Sequence, residues 1–417
     1  MHPSPRLPRL RARTVAITDP GPLERYLPPR GGTAFLRRGD GVVGIGEVAR
    51  FETDSLDAAD IWWSEFVAEI DKETEFPGMS GTGPLAFGSF AFDPDHSAQA
   101  SVLIVPAVII GRRGSTSWVT RLCRDDNFPD EVPPIEAPPA RPTEVAWADG
   151  ALTGPAWEGV VADVVSRIRA GEADKVVLAR DLVASALEPL DARWLVDRLV
   201  TTYGDCWTYL VDGLVGATPE MLVRRTGKLA LSRVLAGTIR RSSGDAEDTA
   251  RLATALTSSN KDVSEHEFAV ASVAEALGPF CSGVHVPESP YVLRLPNVMH
   301  LATDITGVTD SGHTSLALAA ALHPSAAVCG TPTHVARQVI TEIERLDRGR
   351  YAGPVGWIDA QGDGEWAIAL RCGYIDPASP NDIRLFAGCG VVADSVPEEE
   401  LAETVAKFIP MRDALTL

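Results

Sequence analysis

The sequence predicts an α+β fold in which antiparallel hairpins are mixed with long helices. Two turn signals, TGK at 226–228 and QGDG at 361–364, each interrupt a run of strand-forming residues, as expected of hairpins. Hairpins combined with long helices favour α+β over a doubly wound parallel sheet. Apolar spacing predicts the long helices at about 245–260, 264–278, 331–346 and 397–414.

A proline-rich linker, PPIEAPPARP at 133–142, predicts a division of the chain into 1–145 and 146–417. The first part has strand-like runs such as LAFGSFAFD and no cluster of chemically useful residues. The second part opens with a helical pattern, WEGVVADVVSRIRAGEAD, that ends near Gly171 and leads into the strand KVVLARDLV. The residues that could carry chemistry therefore lie after the linker.

Composition places the chain among globular proteins and argues against two classes of partner. The 417 residues are 45% apolar and 23% charged, which suffices for a sizeable core. With 57 acidic and 38 basic residues, the net charge of −19 argues against nucleic acid and against an anionic membrane. A small anionic substrate stays compatible, because local cations and a metal ion can reverse the potential in a cleft.

Targeting and cysteine patterns predict a cytoplasmic protein with reduced thiols. No apolar run approaches the roughly 20 residues that cross a bilayer. The N-terminal MHPSPRLPRLRART has Pro and Arg where a signal peptide is apolar. Because CxxC spacing is absent, a zinc site and a disulfide framework are both disfavoured. The cysteines are Cys123, Cys206, Cys281, Cys329, Cys372 and Cys389.

A polar stripe on the last predicted helix has two interpretations. Ser395 and Glu398 have the spacing of a capping box at the helix start. Glu400, Glu403 and Lys407 follow at i, i+3 and i+7 on one face. The stripe is either a solvated face with a Glu–Lys pair or a site for a hard cation such as magnesium, with the lysine near a substrate anion.

A second acidic cluster, NKDVSEHEFAVASV at 260–273, is equally open to two interpretations. Asp262 and Glu265 have the spacing of a helix cap, and Glu265 could instead serve a metal site. Glu265, His266 and Glu267 cannot all face one way on a helix. HEF also lacks the HExxH spacing that zinc requires.

Strand patterns near the C-terminus predict an open surface beside an arginine. In GEWAIALRCGY, one face of the predicted strand is apolar, while the other carries Glu365, two alanines and Arg371. In RLFAGCGVV, Gly388 and Gly390 flank Cys389, and glycine in a strand often marks the close approach of a ligand. Arg371 either grips a ligand carboxylate with two hydrogen bonds or pairs with a structural acid.

Taken together, these segments resemble the chorismate-utilising enzymes, whose known members include anthranilate synthases. The similar runs cover residues 174–407 almost without a gap and in family order, whereas the first third is similar chiefly through LAFGSFAFD. They are DKVVLAR, GATPEMLVRR, LAGTIRR, DVSEHEFAV, VMHLATDITG, LHPSAAVCGTP, IERLDRGRYAGPVGWIDAQGDGEWAIALRC, RLFAGCGVV and PEEELAETVAK.

The resemblance implies a fold: two α/β subdomains whose large antiparallel sheets pack as a sandwich, with helices outside and the site in a cleft near the sheets' ends. Residues 1–145 are expected to supply part of this sandwich, and 146–417 the chorismate-binding region. The implied enzyme is a monomer or a homodimer that acts on chorismate.

The resemblance also implies roles for residues that spacing alone would leave as surface. Lys175 is expected to be the general base and Glu220 the general acid. Glu265 and Glu403 are expected to bind Mg²⁺, with Glu400 acting through a bound water. Substrate-binding positions are expected at Thr238, His300, Ala327, Val328, Arg371, Gly388 and Lys407.

The implied reaction is an isomerisation of chorismate to isochorismate, in which water attacks ring carbon C2 while the C4 hydroxyl leaves. Such a reaction needs a base for the attacking water and a protonated carboxylic acid for the leaving hydroxyl. Magnesium would screen and orient the substrate carboxylates. No redox cofactor is required.

Lys175 is the main discriminator within the family, because members that use water are similar to this sequence there, whereas anthranilate synthases typically have glutamine. Aminating members also work with a glutamine amidotransferase, and this sequence has no Cys-His glutaminase module, so amination is the weaker interpretation and no glutaminase subunit is expected. The run GWIDAQGDGEWAIALRC is more similar to isochorismate synthases than to salicylate synthases, which go on to eliminate pyruvate. Salicylate synthase is the main alternative, followed by aminating enzymes and a non-catalytic chorismate-binding relative. The sequence leaves menaquinone, siderophore and salicylate pathways open.

Overall fold

A computed structural model describes residues 9–124, 128, 132–240, 246–296, 298–310 and 312–416, without the side chains of 240, 246, 260–262 and 265. In this part of the chain, 23 strands form two large sheets, accompanied by eight α-helices. The predicted α+β class is confirmed.

The strands, in chain order, are β1 (Arg11–Ala16), β2 (Gly32–Arg37), β3 (Asp40–Ile45), β4 (Ala49–Thr53), β5 (Asp71–Thr74), β6 (Leu85–Ser89), β7 (Ser101–Val105), β8 (Val108–Arg113), β9 (Thr116–Cys123), β10 (Ala146–Asp149), β11 (Lys175–Ser185), β12 (Trp207–Val211), β13 (Leu214–Thr218), β14 (Met221–Thr226), β15 (Leu229–Arg240), β16 (Cys281–His285), β17 (Tyr291–Arg294), β18 (Val298–Thr309), β19 (Gly330–Thr331), β20 (Pro354–Asp359), β21 (Gly364–Ile368), β22 (Cys372–Tyr374) and β23 (Asp382–Val391). The α-helices are α1 (Leu56–Ala68), α2 (Gly154–Arg169), α3 (Ala192–Thr202), α4 (Ala246–Ser258), α5 (Asn260–Leu277), α6 (Ser315–Leu322), α7 (Thr333–Ile343) and α8 (Pro397–Thr416).

The first sheet has thirteen strands in the order β10-β11-β23-β22-β13-β12-β2-β3-β8-β9-β1-β5, with β19 also paired to β11. The second has ten, in the order β16-β18-β15-β14-β21-β20-β6-β7-β4, with β17 also paired to β18. Strands from before and after the linker are neighbours in both sheets, because β2 pairs with β12 and β6 pairs with β20. The division into 1–145 and 146–417 stays a prediction.

The two sheets share one hydrophobic core. Tyr209 of the first sheet and Trp366 of the second belong to the same cluster of buried residues, together with Phe87 of β6. A second cluster lies under α3 and α8, where Leu199 and Phe408 pack on the other face of the first sheet. The first sheet therefore lies between α3 and α8 on one face and the second sheet on the other, and α5 and α6 pack against the second sheet.

The local predictions hold at both hairpins. TGK joins the antiparallel strands β14 and β15, and QGDG joins β20 and β21. The predicted helices correspond to α2, α4, α5, α7 and α8, but α5 begins at Asn260, so Asp262 lies inside the helix and is not its cap. No helix in the described ranges is long and apolar enough to span a membrane.

Among the points where the chain crosses between the sheets, two lie side by side, and these two crossings were not predicted. After β13, Pro219 and Glu220 lead from the first sheet to β14 in the second. The single strand predicted through GEWAIALRCGY is wrong: β21 ends at Ile368, and Arg371, with a φ of 49°, leads back to β22 in the first sheet. The crossings are joined because the Ile368 amide donates to the Glu220 carbonyl (3.1 Å) and the Ala217 amide donates to the Arg371 carbonyl (3.2 Å).

Candidate active site

One cavity of about 180 Å³ lies beside these crossings and brings together the predicted site residues. The prediction for Glu265, a residue of α5, falls on a side chain outside the described part of the chain. The predicted residues that line the cavity are Lys175, Glu220, Thr238, His300, Ala327, Val328, Arg371, Gly388, Glu400, Glu403 and Lys407.

Glu220 is placed by the first crossing and is only 6% exposed. Burial raises the pKa of its carboxyl group to about 7, although Lys175, Arg371, Lys407 and a hydrogen bond from the Leu235 amide all oppose the rise. Near neutral pH this carboxyl group is therefore divided between its protonated and ionised forms. A carboxylic acid poised in this range can give up a proton in a reaction.

Lys175 is the first residue of β11, opposite Thr331 of β19. Its backbone carbonyl lies against Gly330, where a Cβ atom would come within 2.2 Å of that oxygen and where φ is +135°. Glycine at this position therefore lets β19 approach the beginning of β11. The lysine side chain is half-buried in the cavity wall.

Two positively charged side chains, those of Arg371 and Lys407, line the cavity. Arg371 is 9% exposed, and burial lowers the pKa of its guanidinium group. Lys407 of α8 donates from Nζ to the Gly388 carbonyl at 2.8 Å and contacts Glu403 at 2.5 Å. A Cβ atom at Gly388 would lie 2.6 Å from the Leu178 carbonyl oxygen, so the close approach of β23 to β11 requires glycine there.

A β-bulge aims Thr238 into the cavity. The register between β15 and β18 shifts between Ala236 and Thr238, around Gly237 with its φ of +73°. Thr238 Oγ1 then lies 3.0 Å from Nδ1 of His300. Burial, followed by the charges of Arg371 and Lys407, lowers the pKa of His300 to about 3, so its ring is neutral. Its Nε2 atom is buried without a hydrogen-bond partner among the described residues, and a ligand could supply one.

Ala327 and Val328 lie on the segment between α6 and β19. The Val328 amide donates to the Ser325 carbonyl at 3.1 Å, and the Val328 carbonyl accepts from Nη1 of Arg348 at 3.1 Å. Their small apolar side chains close one wall of the cavity.

The polar stripe on α8 is not a solvated face. Glu400 is 8% exposed and accepts a hydrogen bond of 2.7 Å from Ser395 Oγ. The predicted capping box is therefore wrong: the Ser395 hydroxyl bonds Glu400 and accepts from the Val392 amide at 3.1 Å. The expected Glu403–Lys407 pair does form, but both residues line the cavity.

The donor set is compatible with a hard cation. Glu400 and Glu403 supply carboxylate oxygens one helical turn apart at the cavity wall, and oxygen ligands suit magnesium. Across the described residues no group of three His, Cys, Asp or Glu side chains forms a metal cluster by itself. A third carboxylate would have to come from outside that set, as the prediction for Glu265 requires.

Sequence reasoning missed several lining residues, among them Arg348 and Tyr351. Both lie in the run IERLDRGRYAG, which resembles the family but has no residue spacing that points to a site. Arg348 is 4% exposed and paired with Glu344. An i, i+4 Glu–Arg spacing on a helix end usually indicates a surface ion pair, so spacing gave no signal of a buried one.

Comparison with known proteins agrees with this geometry. The sequence model described as "Chorismate binding enzyme" matches residues 34–416. This chain therefore belongs to the chorismate-binding enzyme family.

Among curated relatives, isochorismate synthase DhbC of Bacillus subtilis is 43% identical over 263 residues, which is 60% of this chain and 65% of that protein. Isochorismate synthase EntC of Escherichia coli K12 is 32% identical over 378 residues, or 88% of this chain and 90% of that protein. The solved structure of MenF, the menaquinone-specific isochorismate synthase of Escherichia coli, is 25% identical with a TM-score of 0.81, and covers 98% of this chain and 95% of its own.

Proposed function

We propose that the chain is a magnesium-dependent isochorismate synthase, an isomerase that converts chorismate to isochorismate. The observation that carries the proposal is the buried carboxyl group of Glu220, with its pKa raised to about 7, in one cavity with Lys175 and several cations. The relatives named above are isochorismate synthases and support the same activity.

In the proposed reaction, Lys175 takes a proton from a water molecule as that water attacks C2 of the ring. The C1–C2 and C5–C6 π electrons shift to C1–C6 and C4–C5, and the C4–O bond breaks. Glu220 gives its proton to the departing hydroxyl, which leaves as water. One water enters and one leaves, so the net change is an isomerisation, and proton exchange with solvent resets both side chains.

Substrate charge explains the other polar residues. Chorismate carries two carboxylates, and the buried Arg371 and the partly buried Lys407 are cations suited to bind them. The neutral His300 ring has a buried Nε2 that can hydrogen-bond the substrate without adding charge. Thr238 orients that ring, while Ala327, Val328 and the backbone at Gly388 shape the walls.

Magnesium would be held by Glu403 and Glu265, with Glu400 acting through water. Bound there, it would neutralise substrate carboxylate charge and help to fix the ring. The Ser395 hydrogen bond holds Glu400 in the orientation this role needs, since outer-shell hydrogen bonds orient metal ligands.

Salicylate synthase is the second candidate. It would use the same base and acid and then eliminate pyruvate. The names of two relatives bear on this choice. MenF of Escherichia coli is described as a menaquinone-specific isochorismate synthase. A Pseudomonas aeruginosa protein, 39% identical over 366 residues, is described as a salicylate biosynthesis isochorismate synthase. Both names describe isochorismate formation, which favours the first candidate.

The test is to incubate the purified protein with chorismate and Mg²⁺, with and without EDTA, and to separate the products by chromatography. We expect isochorismate only when magnesium is present. Salicylate and pyruvate as main products would move the proposal to salicylate synthase. No turnover at all would contradict it, and turnover only with ammonia would indicate an aminating enzyme.

A further inference from the structure

A buried ion pair outside the predicted site holds one wall of the cavity together. Glu344 follows α7, and Arg348 lies four residues further on; their side chains are 1% and 4% exposed. Arg348 donates to Glu344 from Nε at 2.7 Å and from Nη2 at 2.5 Å. The guanidinium also lies over the Phe92 ring, 4.2 Å from its centre.

This pair occupies a gap along one edge of β11. On that side β11 is paired with β19 only at Lys175 and Val176, and with β10 only from Leu182 onward. Between these two pairings the Val177 amide donates to the Cys329 carbonyl at 2.8 Å, whereas the Val177 carbonyl and both backbone groups of Ala179 have no strand partner on that side. Such groups are rarely left unpaired, so something else must bond them.

The ion pair supplies those bonds. Glu344 Oε2 accepts from the Ala179 amide at 2.8 Å, and Arg348 Nη2 donates to the Val177 carbonyl at 2.7 Å. The Ala179 carbonyl accepts from the Trp157 indole at 2.9 Å. Side chains therefore replace the missing strand along this edge.

The same arginine also bonds the segment that leads into β19. Its Nη1 donates to the Val328 carbonyl at 3.1 Å. Val177 and Ala179 on β11, and Val328 on the neighbouring segment, all line the cavity. Together with the hydrogen bond from the Val177 amide to the Cys329 carbonyl (2.8 Å), the ion pair thus ties the strand that begins with Lys175 to the neighbouring segment at Val328.

We propose that Glu344 and Arg348 are positioning residues for the reaction, which hold β11 and its first residue, Lys175, in register with the segment at Val328. This inference rests on the proposed function. Because the pair fixes the strand that carries the base and not the groups that bind carboxylates, its loss should lower turnover more than substrate affinity. A misplacement of about 1 Å can cost roughly a hundred-fold in rate.

The experiment uses the full-length double variant Glu344→Leu/Arg348→Met, which removes both charges and so leaves no unpaired buried ion. Its matched control is Asp363→Leu/Arg225→Met, which removes another buried pair, 2.7 Å apart and 7% and 9% exposed, that does not line the cavity. The measurements are kcat and KM for chorismate, thermal unfolding, and deuterium uptake of the peptide spanning 175–181. The conservative variant Glu344→Gln, which keeps an acceptor for the Ala179 amide, serves if the double variant does not fold.

We expect the double variant to lose roughly ten-fold to a hundred-fold in kcat, with KM changed by less than about three-fold and faster deuterium uptake at 175–181. Glu344→Gln should fall between it and the wild type, and the control should keep its kcat and uptake. Wild-type kcat in a folded Glu344 variant, or unchanged uptake, would overturn the inference. If the wild type does not convert chorismate, the proposed function fails, and deuterium uptake still decides whether the pair holds β11.

Discussion

Glu220 shows how one buried residue can link activity to pH. Burial outweighs three nearby cations and raises its pKa to about 7. The carboxyl group must be protonated to donate to the leaving hydroxyl. We therefore expect kcat/KM for chorismate to fall as pH rises through about 7, with a slope of one. A pH–rate profile of the free enzyme measures this limb, and a profile flat from pH 6 to 9 would contradict the assignment.

The same residue should make the fold less stable at alkaline pH. Its pKa is about 7 in the folded protein against an ordinary value of 4.5, so the folded state holds more protons between these values. Stability therefore falls as pH rises from 4.5 to 7, by roughly 3 kcal/mol for a shift of this size. Glu220→Gln should recover much of that loss at pH 8, measured by denaturant unfolding, and show little gain at pH 4.5. An equal gain at both pH values would indicate a different cause.

Substitution of the two proposed proton-transfer residues should separate chemistry from folding. Lys175→Ala and Glu220→Gln should each lower kcat by roughly a hundred-fold or more, as is usual for loss of a general base or acid. Thermal unfolding checks that each variant keeps its fold. Near-wild-type turnover in either variant would show that its assigned role is wrong.

Strand β23 can lie close to β11 only because Gly388 has no side chain. An added Cβ would lie 2.6 Å from the Leu178 carbonyl and 3.1 Å from the Tyr351 hydroxyl, so the strand must shift. We expect Gly388→Ala to lower kcat/KM by roughly ten-fold to a hundred-fold, because Lys407 bonds the Gly388 carbonyl. The control is Gly373→Ala, whose Cβ would meet the side chains of Ile383 and Leu385; it should lose stability and keep its activity. Equal kinetics in the two variants would contradict this account.

The beginning of α8 should control the affinity for magnesium. Ser395→Ala removes the hydrogen bond that orients Glu400, and loss of such a bond typically weakens metal binding by roughly ten-fold to a hundred-fold. The magnesium concentration for half-maximal activity measures the effect. Ser55→Ala is the control, because Ser55 caps α1 by accepting from the Ala58 amide. A magnesium titration unchanged by Ser395→Ala would argue against Glu400 as part of the metal site.

Some elements of the fold and the site could be predicted from the sequence, and others could not. The hairpins at TGK and QGDG are local, so turn residues predict them. The crossing at Arg371 could not be predicted, because apolar and small residues alternate through AIALRCGY without a break, although the chain changes sheets there. The spacing of Lys175 and Glu220 in the sequence does not distinguish them from surface residues. Only the family resemblance identifies them as the expected base and acid. Burial of Glu344 and Arg348 depends on β11, which is distant in sequence, and so lies beyond any local pattern.

In the whole molecule, the two sheets depend on strands from both sides of the linker. Without residues 1–145, β12 would lose its partner β2 and β20 would lose β6, which exposes edges in the interior of both sheets. We expect the fragment 146–417 to lack a cooperative unfolding transition and to aggregate, whereas the full chain unfolds cooperatively. Calorimetry of both checks this. A fragment that folds alone and binds chorismate would show that the division at 145 separates independent domains.

The central claim is that this cavity adds solvent water to C2 of chorismate while the C4 hydroxyl leaves. Its most direct test is conversion of chorismate in H₂¹⁸O with Mg²⁺, followed by mass spectrometry of the isochorismate formed. The account predicts one ¹⁸O atom in the C2 hydroxyl of the product. Isochorismate without the label would mean that the original hydroxyl migrates within the substrate, and would contradict the roles proposed for Lys175 and Glu220.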